Sequence, residues 1–297
     1  MIKTIQMENK LIIGERGPTF FNFLRELLQR TSLSTKIIDE LLKEEDVIQM
    51  YYDCFSHKSF HVDHNYEYYE MIGDVSCNKI IVWYLKDRFP FLCNSEGVKV
   101  LARLRINLVS KLTFSTWAKN LDFLRFISMD TDNKVKMESS ILEDVFEAFV
   151  GVTELMIDKY IRSYSGIYFV HHFIKSILDE ETISLSYKLL YDPVTRLKET
   201  MDHFNSNLHK SICPFIHGSI SFSHEKVDGG QYIVRLHQNS SRKKEVLLQE
   251  KGKNINDLKY HLSQQYLDFL ELKGFSKMEN KYYQKIENQR ISHEENK

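Results

Sequence analysis

Apolar residues recur at helical spacing from Phe20 to about residue 181, and the period changes after Tyr191. FFNFLRELLQR and TKIIDELLKEEDVIQMYYDCF set Phe, Leu and Ile at i, i+3, i+4 intervals. YEYYEMIGDVSCNKIIVWYL, EGVKVLARLRINLVSKLTFSTWA and ILEDVFEAFVGVTELMI continue the pattern, with breaks at 90–95 and 130–137. This predicts an all-α domain over residues 20–181, preceded by an N-terminal extension of residues 1–19. Beyond it, DPVTRLKETMDHF predicts a short helix with Asp192 as N-cap and Pro193 at its first position. PFIHGSISFS, QYIVRLHQ and KEVLLQE read as three strands, and a last helix runs over 254–272. The expected class is therefore α+β multidomain, with a small α-β-β-β-α module over 190–273. The polar stretch 274–297 predicts a disordered tail.

Composition narrows the reading. Only 11 glycines and 4 prolines among 297 residues argue against a sandwich or barrel and for long helices. A net charge of -1 announces no nucleic-acid binder, so any attraction to a polyanion must come from local patches. Cys54, Cys77, Cys93 and Cys213 are far apart and form no CxxC pair, which predicts buried thiols in a reducing compartment. No apolar run reaches the ~18 residues of a membrane span, and no signal-peptide pattern is present. A soluble, cytoplasmic protein without a membrane partner is expected.

Two helical segments carry candidate chemistry. Glu70 and Asp74 are spaced i, i+4 on one face, with Glu67 a turn earlier. Asp144 and Glu147 are spaced i, i+3, and both segments are otherwise apolar. Such like-charge pairs repel unless a cation lies between them. Oxygen ligands without cysteine or histidine favour Mg²⁺ or Mn²⁺, the ions suited to phosphodiester hydrolysis. The bland alternative is a pair of solvated acidic faces. A di-iron bundle needs Glu-x-x-His, which neither Glu70 nor Glu147 begins. Ser140 to Glu143 (S-I-L-E) fits a capping box, placing Asp144 and Glu147 near a helix N-terminus that keeps them ionised. His57, His61 and His64 could suggest a metal site, but a loop reading suits them better.

Four ordered elements resemble the ribonuclease III family. HNYEYYEMIGD, ending at Asp74, is similar to the signature NERLEFLGD, and LEDVFEAFVG, ending at Gly151, is similar to the second acidic motif. Ser56-His57-Lys58-Ser59 matches T-H-[KR]-S, and SEGVKVLARLR, ending at Arg105, is similar to EGxLxxLR. The resemblance implies an endoribonuclease that cuts double-stranded RNA with Mg²⁺ (Mn²⁺ substituting), leaving 5′ phosphates, 3′ hydroxyls and short 3′ overhangs. It implies Glu70, Asp74, Asp144 and Glu147 as metal ligands, with Glu67 and Glu96 assisting. It also implies a homodimer, in which Met71 stands where the family has a phenylalanine that enters the partner. Tyr68-Tyr69 replaces Arg-Leu.

The last module resembles a double-stranded RNA-binding domain. By resemblance, Thr195, Lys198 and Glu199 face one minor groove and the loop 224–230, beginning at His224, reaches another. Lys253 and Lys259 hold phosphates, although Asp257 lies between them, and Arg242-Lys243-Lys244 could add charge. The rival reading is a non-catalytic relative that binds or sequesters structured RNA. Such relatives lack one or more of the acids, and here none is lost. The Ile, Lys and Asn bias resembles that of large DNA viruses, which would make the cytoplasm that of a host.

Overall fold

Two long helices organise the larger, helical part of the chain. In the computed structural model, which describes residues 11–207, 218–239, 243–275 and 281–295, these are α4 (Glu67–Arg88) and α7 (Thr131–Tyr160). They belong to the first of two units, Met1–Ile183 and Ser184–Lys297. Helix α4 buries Cys77, Ile80, Ile81 and Tyr84, and α7 buries Ile141, Val145, Phe146 and Phe149. Those residues recur every three to four positions, so each helix turns one stripe inward. Helix α4 ends at Phe89, which precedes Pro90 and is excluded from helical backbone by the proline ring.

The remaining helices wrap this pair: α1 (Pro18–Gln29), α2 (Thr35–Leu41), α3 (Glu45–Cys54), α5 (Val98–Leu108), α6 (Lys111–Asn120) and α8 (Gly166–Leu178). Phe20, Phe23, Phe55, Phe123 and Phe126 form a ring cluster that continues through Phe123 into Phe114, Phe146, Phe149 and Phe173. Inside, the Tyr51 hydroxyl lies 3.0 Å from Thr153 Oγ1, so the buried phenol keeps a polar partner.

The N-terminal extension is built into this unit from Leu11 onward. Strand β1 (Leu11–Ile12) pairs antiparallel with β2 (Met129–Asp130). Next to it, Ser128 Oγ accepts from Gly14 N at 3.0 Å and from Arg16 Nη2 at 3.1 Å. Residues 1–10 lie outside the described residues.

Three sequence expectations fail in this unit. The break at 130–137 and the capping box at Ser140 are absent, because α7 is continuous from Thr131. Asp144 and Glu147 therefore lie in mid-helix, beyond reach of a helix-terminal charge. Cys93 is exposed, whereas Cys54 and Cys77 are buried as expected, and Cys213 lies outside the described residues.

The second unit contains α9 (Tyr187–Leu190), α10 (Pro193–Asn207), α11 (Ile255–Leu272) and α12 (Lys281–Glu295). Its sheet is an antiparallel meander in the order β3 (Ser219–Val227), β4 (Gln231–Asn239), β5 (Lys244–Gly252). Leu197 and Met201 of α10, Val234 and Leu236 of β4, and Leu258, Leu262, Tyr266 and Leu270 of α11 form its core. Val234 and Leu236 are two apart and share a sheet face, while the α11 residues follow the helical period. A bulge at Leu236/His237 shifts the pairing with β5 by one residue. Asn254 caps α11 by accepting from the backbone N–H groups of Asn256 and Asp257.

The tail expected to be disordered is helical over Lys281–Glu295, with 276–280 and 296–297 outside the described residues. Ile286 is buried there. Glu287 accepts from Leu185 N at 2.6 Å and Ser184 Oγ at 3.0 Å, and Arg290 donates to it. A single buried aliphatic position is too weak a pattern to read as a helix, so composition misleads here.

Candidate active site

The site forms where α4 and α7 come close enough for backbone to meet backbone. A Cβ on Gly73 would stand 1.8 Å from the Glu147 carbonyl oxygen, and one on Gly151 would stand 2.2 Å from that of Tyr69. Gly73 faces Glu147 while Gly151 faces Tyr69, so the helices run in opposite directions through the contact. This brings Glu70 and Asp74 on α4 beside Asp144 and Glu147 on α7.

Burial and neighbouring acids raise three of the four carboxylates. Glu147 is buried, and its pKa is pushed up to about 8 by desolvation and then by Asp74, Glu143, Glu70 and Asp144. Glu70 is raised to about 7 by burial, then by Asp144 and Glu67. Asp144 is also raised, mainly by burial, although Tyr66 donates to its Oδ2 at 3.0 Å and opposes the shift. The helix-terminal stabilisation expected from sequence is replaced by its opposite.

Among the described residues, no three His, Cys, Asp or Glu side chains stand close enough to hold an ion as they lie. The donor set nevertheless fits a divalent cation. Carboxylates raised by burial and by neighbouring acids lose that penalty when two positive charges are placed among them, and hard oxygens suit Mg²⁺ or Mn²⁺. Glu70, Asp74, Asp144 and Glu147 are the residues that could hold it.

Of the assisting acids, Glu67 acts on Glu70, but its carboxylate is held by Lys58 Nζ at 2.6 Å. Glu96 sits on an exposed turn ahead of α5 and is not among the charges that act on Glu70, Asp144 or Glu147. The histidines His57 and His61 bond within their own loop. His57 Nδ1 accepts from Ser59 N at 3.1 Å, and His61 Nδ1 accepts from the backbone N–H groups of Asp63 and His64.

Sequence reasoning missed the supports of the site. Asn78 Nδ2 donates to Asp74 Oδ1 at 2.9 Å, and Arg105 Nη1 donates to Asn78 Oδ1 at 3.1 Å. The i, i+4 spacing of Asp74 and Asn78 was a readable signal, and Arg105 closes the motif read as EGxLxxLR. The arginine fixes which way the amide points, and the amide fixes the Asp74 carboxylate. Asn78→Ala is expected to weaken Mn²⁺ binding about tenfold or more by calorimetry, with Arg105→Ala following it. Unchanged affinity in both variants would remove this role.

In the second unit, Thr195, Lys198 and Glu199 lie on α10. Thr195 Oγ1 donates to Asp192 Oδ2 at 2.7 Å, and Glu199 accepts from the Tyr187 hydroxyl at 2.5 Å, so both already have partners within the unit. Lys198 is exposed. His224 is not in a loop; it pairs with Val234 inside β3, and the turn proper is Asp228 to Gly230. The strand SISFSHEKV continues three residues past His224, and ending it at Ser223 cut the pattern short. Lys253 is exposed ahead of α11, and the Lys259 ammonium stands 5.9 Å from the Phe222 ring centre. Arg242 is outside the described residues. Met71 is 62% exposed on α4, beside Val75 at 66%.

The ribonuclease III domain family matches residues 67–156, the span that carries all four acids. A protein of Invertebrate iridescent virus 6, provisionally named ribonuclease 3, is 34% identical over 200 residues, 63% of this chain and 68% of that one. A Frog virus 3 (isolate Goorha) protein of the same provisional name is 37% identical over 173 residues, 58% of this chain and 46% of its own length. The match thus spans two thirds of the first relative and under half of the second. The crystal structure of the nuclease domain of Campylobacter jejuni ribonuclease III aligns with 54% of this chain and 98% of that domain, at 22% identity and TM-score 0.40.

Proposed function

The chain belongs to the ribonuclease III family of endoribonucleases, and from that premise we propose that it hydrolyses double-stranded RNA with a divalent cation. The products are 5′-phosphate and 3′-hydroxyl ends with short 3′ overhangs. The observation that carries the reading is the close crossing of α4 and α7, which half-buries Glu70, Asp144 and Glu147 together and raises all three, mainly by desolvation. A surface cluster of acids would be relaxed by solvent; this one is half-buried, so its charged form is penalised first by desolvation and then by neighbouring carboxylates.

Glu70, Asp74, Asp144 and Glu147 would hold Mg²⁺, with Mn²⁺ as substitute. When bound, the ion polarises the phosphate and lowers the pKa of water. The chain supplies the rest. Tyr66 orients Asp144, and Asn78 with Arg105 orients Asp74. Glu147, protonated near neutral pH without an ion, releases that proton as a cation binds, which makes binding pH-dependent.

The exposed apolar positions Tyr68, Met71, Val75 and Val82 on α4 support a homodimer through this helix. In the small unit Lys198, Lys253 and Lys259 are the candidate phosphate contacts, and Thr195 and Glu199 must leave their present partners to read a minor groove. Among the described residues no helix is long and apolar enough to cross a membrane. The free thiols of Cys54, Cys77 and Cys93 support a reducing cytoplasm.

The deciding experiment digests a long end-labelled RNA duplex with Mg²⁺, using wild type and Glu147→Gln. Fragments with 5′ phosphates from wild type alone are the expected result. Intact RNA with both proteins, each still bound to it, would replace this reading with a sequestering or structural role.

A further inference from the structure

An RNA backbone that approaches four carboxylates meets repulsion, and two lysines beside them have no part in the chemistry above. Lys58 follows α3 in the SHKS element, and its Nζ lies 2.6 Å from Glu67 Oε1 on α4. Lys111 opens α6, and its Nζ lies 3.0 Å from Glu143 Oε2 and 3.0 Å from Ser140 Oγ, both on α7. The lysine side chains are 61% and 53% exposed. They come from separate segments, and each is tied to a different wall of the site. Both oppose the raising of Asp144 through their charge, so both lie within electrostatic reach of that carboxylate.

Neither glutamate partner belongs to the four candidate ligands. The Lys58–Glu67 pair is exposed on both sides, and such pairs contribute about 0–1 kcal/mol, so Lys58 can exchange its carboxylate for a phosphate oxygen at little cost. Glu143 is only 19% exposed, so Lys111 leaves it as a cation takes over its charge. The exchange also frees Glu67 and Glu143 to face an incoming cation rather than an ammonium group. We propose that Lys58 and Lys111 are phosphate-contacting residues that bracket the scissile position, one from the α4 side and one from the α7 side. Each gives up its glutamate for a backbone phosphate when RNA docks. This rests on the RNA-cleaving function proposed above and adds to it how an acidic site retains a polyanion.

The test measures binding of a labelled 20-base-pair RNA duplex to full-length Glu147→Gln with Mg²⁺, from 50 to 300 mM KCl. Lys58→Ala and Lys111→Ala are added singly and together. Each lysine that contacts a phosphate contributes about 0.9 to the slope of log K against log salt. Each alanine is therefore expected to flatten the slope by about 0.9, and the double variant by about 1.8. Lys→Arg at either site should retain the parent slope, and it decides the case if an alanine variant folds poorly. A slope unchanged in the double variant, even with a lowered melting temperature, overturns the proposal and leaves the lysines as props for Glu67 and Glu143. If the parent shows no salt-dependent duplex binding, the RNA reading itself falls and takes this inference with it.

Discussion

Without divalent cations, Glu147→Gln is expected to be more stable than wild type at pH 8, by about 2–4 kcal/mol. The folded-state pKa of Glu147 is pushed up to about 8 from an ordinary value of 4.5, and every tenfold change in proton affinity corresponds to about 1.4 kcal/mol. The sign follows from proton binding. Below pH 4.5 both folded and unfolded states carry the proton, and burial costs nothing. Between 4.5 and 8 the folded state keeps a proton that the unfolded state has lost, so stability falls as pH rises. Above 8 the full penalty is present. Glu70, raised to about 7, adds a fall over a narrower window. Glutamine has no proton to lose, so the variant's curve should be flatter. Melting in EDTA from pH 5 to 8.5 should show the two proteins converging at the acid end and separating by several degrees at pH 8. Added Mg²⁺ should then stabilise wild type and leave the variant nearly unmoved. A constant offset across the pH range would mean that Glu147 is not strained by its neighbours. Loss of cleavage, about a thousandfold or more, should accompany the gain in stability, because the charge that destabilises the empty site is the one that holds the ion.

Physical reasons separate what was readable in the sequence from what was not. The acids were legible because like charges inside apolar helices are costly, and the cost calls for a reason. Their partners were less so: Tyr66, Lys58, Lys111 and Arg105 reach the site from segments whose approach only the tertiary fold sets. The capping box at Ser140 failed because local preference at a cap is worth about 1 kcal/mol, less than the packing that holds α7 against α4 along its length. Helix α12 was missed for the complementary reason. Its hold on the second unit comes through Ile286 and the Glu287 hydrogen bonds, which leave no periodic apolar stripe in the sequence.

Gly73→Ala is expected to be among the most damaging single-methyl changes in the chain. On propensity alone, alanine should stabilise a helix by about 0.5–1 kcal/mol over glycine. That gain is outweighed, because the added Cβ would lie 1.8 Å from a backbone carbonyl oxygen that cannot rotate away. The helices must separate by more than an ångström, opening the packing of Cys77 and Ile80 against α7. Overpacking of this kind costs about 1–3 kcal/mol where side chains can yield, and more where backbone must move. A net loss of about 3 kcal/mol is expected, a fall in melting temperature of about 6–12 °C. The oxygen that must retreat belongs to Glu147, so the displacement also pulls that carboxylate from Asp74 and Glu70. Mn²⁺ affinity should therefore fall together with stability, and the pH dependence of melting should weaken because Glu147 gains solvent and loses the raising effect of Asp74 and Glu70. Gly151→Ala, whose Cβ would meet Tyr69 on the far side of the same crossing, should repeat the loss of stability. If Gly73→Ala melts within about 1 kcal/mol of wild type and keeps its steep pH response, the close crossing is not what couples the carboxylates.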